Sequence, residues 1–229
     1  MTRSARFTLA ALAAAASLAV GNAQATAVIV KDNTNVNTIP GLTGFSTTGA
    51  MMSGLSITAS FSGGLTETLS WATTGANSGG VTGSGWGLSV NGDTFAALWN
   101  FAMTSNLGQI TSLIIDGTNA LTVLDTTSPS PGTPGSSSGG DFTFTDDTID
   151  ATATYSSVVA ISPNGAVGDL YQVVSVNFGN SGPRTDFTFR QDTDNDSRFR
   201  TNVPEPGSLA LVALALAAVG ANARRARKS

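Results

Sequence analysis

The heptapeptide LSITASF, residues 55–61, decides the fold class of this chain. Its apolar positions are Leu55, Ile57, Ala59 and Phe61, and the polar positions between them are Ser56, Thr58 and Ser60. Successive side chains of a β-strand point to opposite faces of a sheet, so this period of two predicts a strand with one buried face and one solvated face.

The same period of two recurs through residues 28–202, which we interpret as one folded body. Alternating runs occur at Trp86–Val90, Phe95–Phe101, Ala151–Tyr155, Leu170–Phe178 and Phe187–Phe189. Breaks rich in Gly and Asn separate the runs, and Asn91-Gly92 and Asp116-Gly117 favour tight hairpin turns. The pattern predicts an all-β fold of roughly ten strands in two packed antiparallel sheets, a β-sandwich or jelly-roll-like architecture.

A segment rich in Ser, Pro and Gly, TTSPSPGTPGSSSGG at residues 126–140, interrupts the body. Its composition predicts a surface loop or linker. The segment would divide the body into two domains if each half could fold alone. Each half offers few strands and few aromatic residues for a core, so we favour a single domain.

Composition limits the chemistry that this chain performs. Its 229 residues include no Cys and no His, which excludes thiol nucleophiles, Ser-His triads and zinc sites built on thiolate or imidazole. Only 11% of the residues are charged, as is typical of an exported β protein rather than a cytoplasmic enzyme. Between residues 28 and 203, five basic residues stand against 14 acidic ones. Phosphate binding needs a basic face, so nucleic acid is excluded as a partner.

The first 27 residues have the layout of a cleavable secretory signal. Arg3 and Arg6 form a positive n-region, and Phe7–Val20 forms an uncharged, mainly apolar h-region. The small residues of the cleavage region are Ala23, Ala25 and Ala27. We predict cleavage after Ala25, so that residues 1–25 are a helical signal peptide, with cleavage after Ala27 as the alternative. A core helix would explain the apolar run but not the order of the three regions.

Residues 203–228 combine a Pro-rich motif, an uncharged apolar run and a basic tail. The motif is Val203, Pro204, Glu205, Pro206 and Gly207, and the tail is Arg224, Arg225, Arg227 and Lys228. A helix over residues 207–223 would span about 26 Å, close to the ~30 Å of a hydrocarbon core. We predict a single transmembrane helix there, with the basic tail in the cytoplasm and the body outside. The alternative, a buried core helix, would usually carry a polar face.

This arrangement resembles the PEP-CTERM sorting signal of exported bacterial proteins. The resemblance implies processing near Pro204-Glu205-Pro206 by an exosortase, a membrane-embedded, cysteine-dependent transpeptidase-like enzyme. The export machinery is a further implied partner, and the inner membrane a transient one. It implies an exported protein of the cell surface, outer envelope or extracellular matrix, with a structural or interaction role in exopolysaccharide or biofilm. A GPI-type signal, the alternative, normally lacks the basic cluster.

Three segments of the body resemble segments that recur in the same group of proteins. They are residues 71–95, GTPGS at residues 132–136 and FRQDTDND at residues 189–196. None of these segments brings an assigned activity with it.

Alternating acids at Asp192, Asp194 and Asp196 form the densest chemical feature of the body. The pattern gathers carboxylate oxygens as a calcium loop does, but Ser197 and Val203 stand where an EF-hand needs Gly and Glu. On a strand, the three carboxylates would share one face and repel one another unless a cation sat there. We therefore predict calcium as the one candidate cofactor, the alternative being a solvated loop balanced by neighbouring Arg residues.

Two further sets of residues are candidates for carbohydrate chemistry. Trp71, Trp86 and Trp99 would stack on sugar rings in a lectin-like module if they were exposed, whereas Trp at alternating positions usually belongs to a core. Asp146, Asp147 and Asp150 would serve an Asp-dependent glycoside hydrolase only at a set separation across a cleft. No catalytic motif supports that separation, so we predict a protein that is not an enzyme.

Overall fold

The computed structural model of the protein describes residues 27–43, 46–127, 132–136 and 138–198. The predicted signal peptide at residues 1–25 lies outside the described residues, as does the predicted sorting signal at residues 203–228 with its transmembrane helix. Within the described part of the chain, no helix has the length and apolar character needed to cross a membrane.

Sixteen β-strands and one short 3-10 turn at Gly49–Met52 make up the described body. The strands are β1 (Val28–Lys31), β2 (Val36–Ile39), β3 (Leu42–Thr43), β4 (Ser56–Phe61), β5 (Thr66–Ser70), β6 (Ala72–Thr73), β7 (Ser78–Thr82), β8 (Trp86–Asn91), β9 (Trp99–Met103), β10 (Ile110–Asp116), β11 (Thr122–Asp125), β12 (Thr143–Phe144), β13 (Thr152–Ile161), β14 (Ala166–Asn177), β15 (Phe187–Arg190) and β16 (Asp192–Asp196). The all-β prediction is confirmed. The strands outnumber the roughly ten predicted because two-residue strands such as β3, β6 and β12 are too short for alternation to reveal.

The strands form a ten-stranded sheet and a six-stranded sheet. In the larger sheet, the long strand β14 pairs with β13 on one side and with β10 and β11 in turn on the other. The sheet therefore forks, with β10–β4–β5 on one arm and β11–β16–β3 on the other. The smaller sheet runs β12–β15–β9–β8–β7–β6. β1 and β2 pair in parallel with successive halves of β13, a departure from the wholly antiparallel prediction.

Alternation along the strands builds one apolar core between the sheets. In β4, Ile57, Ala59 and Phe61 are buried, as the heptapeptide predicted, and the intervening Ser and Thr side chains face outward. Antiparallel pairing continues this division across the sheet, because Ala59 lies opposite Leu113 of β10 and Leu113 lies opposite Val176 of β14. Buried residues of both sheets belong to one large hydrophobic cluster, and the larger sheet carries a second, smaller cluster of Ile39, Val123, Val159, Ile161 and Leu170.

Aromatic rings fill the space between the two sheets. The Trp86 and Phe101 rings stack with centroids 5.6 Å apart, and Phe101 stacks on Phe187 at 4.7 Å. Such pairs contribute roughly 0.5–1.5 kcal/mol beyond the area that they bury. A polar contact also joins the sheets, because Glu67 of β5 accepts a 2.8 Å hydrogen bond from the Trp86 indole N–H of β8. The larger and smaller sheets are thus fixed to each other by packing and by a charge-assisted hydrogen bond.

The predicted surface loop at residues 126–140 packs onto the larger sheet. In its described part, the side chains of Thr133 and Ser136 are buried, with 4% and 2% of their surface exposed. The described part of the loop thus combines these two buried side chains with the exposed Pro134 and Gly135. β11 of the ten-stranded sheet precedes this loop, and β12 of the six-stranded sheet follows it.

Candidate functional site

Register brings three carboxylates onto one face of the forked sheet. Asp125, the last residue of β11, lies directly opposite Asp192 of β16, and Asp194 follows two positions along β16. Directly paired residues share a face, and so do residues two apart on one strand. All three side chains are buried, with 1%, 8% and 5% of their surface exposed for Asp125, Asp192 and Asp194.

The loop at residues 132–136 covers these carboxylates with hydroxyl groups. The Ser136 hydroxyl donates to Asp125 Oδ2. Thr133 binds the neighbouring Asp169 twice, through its amide at 2.7 Å and through its hydroxyl. We call Asp125, Asp192, Asp194 and Ser136 the carboxylate site. The site therefore joins GTPGS at residues 132–136 to the acidic run of β16, two segments separated by more than fifty residues of sequence.

Burial dominates the electrostatics of the carboxylate site. Loss of hydration raises the pKa of Asp125 to about 8, that of Asp192 to about 7 and that of Asp194 to about 6. Repulsion adds to the shift, because every charged group that acts on Asp125 is another carboxylate, namely Asp194, Asp192 and Asp169. The Ser136 hydroxyl opposes the shift at Asp125 and Asp194 but does not cancel it.

Hydrogen bonding leaves one oxygen of the carboxylate site without a donor. Asp125 Oδ1 is buried and has no hydrogen-bond partner among the described residues. A buried acceptor without a donor loses its hydration without gaining a hydrogen bond. This loss lowers the free energy of unfolding by roughly 1–3 kcal/mol, and by more for a charged group. Nearby basic side chains bind other acids: Lys31 lies 3.2 Å from Asp141, and Arg198 pairs with Asp196.

The predicted calcium triad is only partly assembled. Asp192 and Asp194 lie in the carboxylate site, but Asp196 accepts hydrogen bonds from the Arg198 amide at 2.9 Å and from its Nε at 2.8 Å. In the described residues, no three carboxylates converge as a metal-binding group. The triad of Asp192, Asp194 and Asp196 is therefore wrong as a ligand set, because a guanidinium already neutralises its third member.

The three Trp side chains are all core residues. Trp71, Trp86 and Trp99 expose 1% or less of their surface. Each indole N–H is satisfied inside the protein, Trp71 by the Gly49 carbonyl at 2.8 Å and Trp99 by the Gln191 carbonyl at 2.9 Å. A sugar ring has no access to them, so the predicted stacking on Trp is wrong and the core interpretation is confirmed.

Asp146, one of the three acids proposed for a glycoside hydrolase, lacks the electrostatics of a general acid. Asp146 lines a shallow cleft with Asp186, but it accepts hydrogen bonds from the Thr148 hydroxyl at 2.6 Å and amide at 2.9 Å. These bonds lower the pKa of Asp146, whereas a general acid in glycoside hydrolysis needs a raised pKa.

The second candidate surface is the outer face of the larger sheet, opposite the core. Paired residues form three rows across β1, β13, β14, β10, β4 and β5. The rows are Val28–Thr152–Asn177–Ser112–Ser60–Thr66, Val30–Thr154–Ser175–Ile114–Thr58–Thr68, and Ser156–Val173–Asp116–Ser56–Ser70. We call these positions the hydroxyl face, because most of them are Ser or Thr and one, Asp116, is charged. Alternation identified many of these residues as solvated, but only the register shows that they form one surface.

Neighbouring hydroxyls on this face bind one another. Thr58 Oγ1 and Thr68 Oγ1 are 2.7 Å apart, and the Thr66 hydroxyl donates to Ser60 Oγ at 3.1 Å. Each hydroxyl carries one proton and two lone pairs, so these contacts leave further hydrogen-bonding capacity for a ligand or water. Adjacent strands are about 4.8 Å apart, and positions two apart on a strand recur about every 6.8 Å. The face is thus a regular, nearly uncharged array of donors and acceptors.

Comparison with known protein families identifies a sorting motif in the C-terminal segment of the chain. The family model of the PEP-CTERM protein-sorting motif matches residues 202–227, within one residue of the predicted boundaries. No curated protein and no solved structure matches the chain. The chain therefore carries a PEP-CTERM protein-sorting motif, which indicates exosortase-dependent sorting of an exported protein.

Proposed function

We propose that this exported protein has a structural, non-catalytic role at the cell surface or in the extracellular matrix, where its body binds exopolysaccharide of a biofilm. It reaches that location through a transient inner-membrane intermediate, held by a helix at residues 207–223 with the basic tail in the cytoplasm. The sorting motif supports the route, and the hydroxyl face supports the binding role.

The observation that carries the binding role is the chemistry of the hydroxyl face. One charged residue among its rows, Asp116, leaves little basis for ionic recognition of a partner. An array of Ser and Thr hydroxyls instead matches a neutral polymer whose own hydroxyls both donate and accept hydrogen bonds. Single bonds of this kind contribute only about 0.5–1.5 kcal/mol each, so appreciable binding needs many of them along one extended chain.

The binding role is tested by placing like charges in the middle of the hydroxyl face. Thr154→Glu and Ser175→Glu introduce two charges at directly paired, half-buried outer positions without touching the core. The matched control is Thr82→Glu with Ser89→Glu, at exposed positions of the smaller sheet. The assay is co-sedimentation with the exopolysaccharide of the producing cells and, as a defined neutral probe, with cellulose.

We expect the face variant to lose at least about tenfold in retained protein, because binding of the polymer would bury two unpaired charges that must first be desolvated. The control should retain the wild-type level. Equal retention of all three proteins, or no retention of the wild type on either polymer, would refute polysaccharide binding by this face.

The route is tested separately at the sorting motif. Glu205→Ala removes the charged residue of the Pro-Glu-Pro triplet, and deletion of residues 224–228 removes the basic tail. Both changes should leave unprocessed protein in the membrane fraction, whereas Ser208→Ala should be processed normally. Intact mass and cell fractionation measure the result, and an unchanged mature mass and location in both variants would contradict the route.

A further inference from the structure

The hydrogen-bond donors in the carboxylate site do not balance the negative charge of its carboxylates. Ser136 has one hydroxyl proton, which it donates to Asp125 Oδ2, so that proton cannot also serve the neighbouring Asp194. With Asp125, Asp192 and Asp194 all ionised, three negative charges share one buried face of the sheet. Such an arrangement is repulsive, and it needs either extra protons or a cation to become favourable.

The residues around the site add negative charge and supply no compensating positive charge. Asp192 lies directly opposite Asp125, so a third carboxylate occupies the same face. Asp125 Oδ1 is a buried acceptor without a donor, and its own residue is 99% buried. The charged groups that act on Asp192 and Asp194 include no basic side chain, only other acids such as Asp93. Uncompensated buried charges of this kind are normally paired or bound to a metal.

We propose that the carboxylate site binds a divalent cation, Ca²⁺, through the carboxylates of Asp125 and Asp194 together with the Ser136 hydroxyl oxygen. Asp192 contributes its charge from the opposed position on β16. Since no three carboxylates in the described residues already converge as a metal group, neutral oxygens and water complete the coordination. Ca²⁺ suits this mixture, because it accepts six to eight oxygen ligands in flexible geometry.

Binding of the cation would fasten the loop at residues 132–136 to two strands at once. Asp125 ends β11, Asp194 lies on β16 and Ser136 belongs to the loop, so one ion would connect three separate segments. This role is independent of polysaccharide binding by the hydroxyl face, which lies on β1, β13, β14, β10, β4 and β5. It requires only that the protein works outside the cell, where sites of millimolar to submillimolar affinity for Ca²⁺ are filled.

The test uses the mature exported protein, stripped of metal with EDTA and then dialysed. Isothermal titration calorimetry with CaCl₂ should show one site with a dissociation constant of about 10⁻⁴–10⁻³ M. Thermal unfolding should shift to higher temperature with rising Ca²⁺, and protease cleavage within residues 126–140 should slow at least about threefold. Asp194→Asn should weaken Ca²⁺ binding at least about tenfold, while Asp146→Asn, an exposed turn position, should bind as the wild type does.

Two further measurements keep the proposal open to refutation if Asp194→Asn folds poorly. Ser136→Ala removes a neutral ligand and should weaken binding by a smaller factor, about twofold to tenfold. Wild-type protein should respond to 2 mM CaCl₂ but not to NaCl of the same ionic strength. Absence of binding heat and of a thermal shift up to 10 mM CaCl₂ would overturn the proposal. It would indicate that protons, and not a cation, neutralise the buried carboxylates. An equal response to NaCl would overturn it as well.

Discussion

A glycine of β7 gives the sharpest test of how the 3-10 turn packs on the smaller sheet. A Cβ atom added at Gly79 would lie 2.1 Å from the Gly49 carbonyl oxygen and 2.1 Å from Trp71 Nε1. These two atoms are joined by the 2.8 Å hydrogen bond that satisfies the buried indole. Gly79→Ala therefore forces the turn and the indole apart by more than 1 Å, since ordinary carbon contacts begin near 3.4 Å.

The magnitude follows from the two groups displaced. Overpacking a well-filled interior costs about 1–3 kcal/mol, and a buried donor left without its acceptor costs about 1–3 kcal/mol. One movement of the backbone causes both losses, so we expect a total near 3 kcal/mol rather than the full sum. For a body of this size, each kcal/mol corresponds to roughly 2–4 °C, which gives a fall of about 6–12 °C in the unfolding temperature.

Thermal unfolding of the exported protein, followed by Trp fluorescence and circular dichroism, measures this change. Gly165→Ala is the matched control, because no atom lies within 4 Å of a Cβ at that position and its backbone is not left-handed. We expect the control to change the unfolding temperature by less than about 2 °C. A Gly79→Ala protein as stable as the control would refute the close packing of Gly49, Gly79 and Trp71.

Three further predictions concern polar groups. Hydrogen bonds from the Ser84 amide and the Trp86 indole lower the pKa of Glu67, so its contribution to stability is present above pH 4.5 and is lost as the pH falls through the folded-state pKa. Glu67→Gln should remove that acid dependence from urea unfolding curves. In metal-free protein, the pKa values of the carboxylate site are raised from 3.8 to between about 6 and about 8, so the folded chain binds more protons than the unfolded chain. The free energy of unfolding should therefore rise on acidification from pH 8 to pH 5, and a flat profile would contradict the buried carboxylates. Tyr155→Phe removes the hydroxyl that accepts the Phe142 amide at 2.8 Å, and the buried, unpaired amide should cost about 1–3 kcal/mol in chemical denaturation.

The heptapeptide at residues 55–61 predicted its own strand and its buried face correctly, because alternation is a local property of the chain. The same reasoning assigned Trp86 and Trp99 to the core, where both now lie with their indole groups bonded inside. Alternation does not report which strands are neighbours. The parallel pairing of β1 and β2 with β13 joins segments more than a hundred residues apart and left no signal in either segment.

Asp125 shows why the carboxylate site was only half visible in the sequence. The alternating acids at residues 192–196 form a recognisable pattern. Asp125 ends an ordinary apolar strand, TVLD, and no sequence pattern marks it as part of a site. Its importance comes from the antiparallel register of β11 with β16, which places it opposite Asp192. GTPGS and FRQDTDND both resemble segments of the same protein group, but that resemblance did not show that they lie together in the fold.

The position of β16 has a consequence for the timing of folding during export. This strand is the last of the described body, yet it lies in the interior of its arm, between β3 and β11. A chain that emerges from its N-terminal end presents β3 and β11 long before their shared neighbour arrives. That arm cannot close until residue 196 has emerged, only about six residues and at most about 20 Å of chain before the sorting motif. Completion of the larger sheet therefore requires almost all of the chain that precedes the sorting motif.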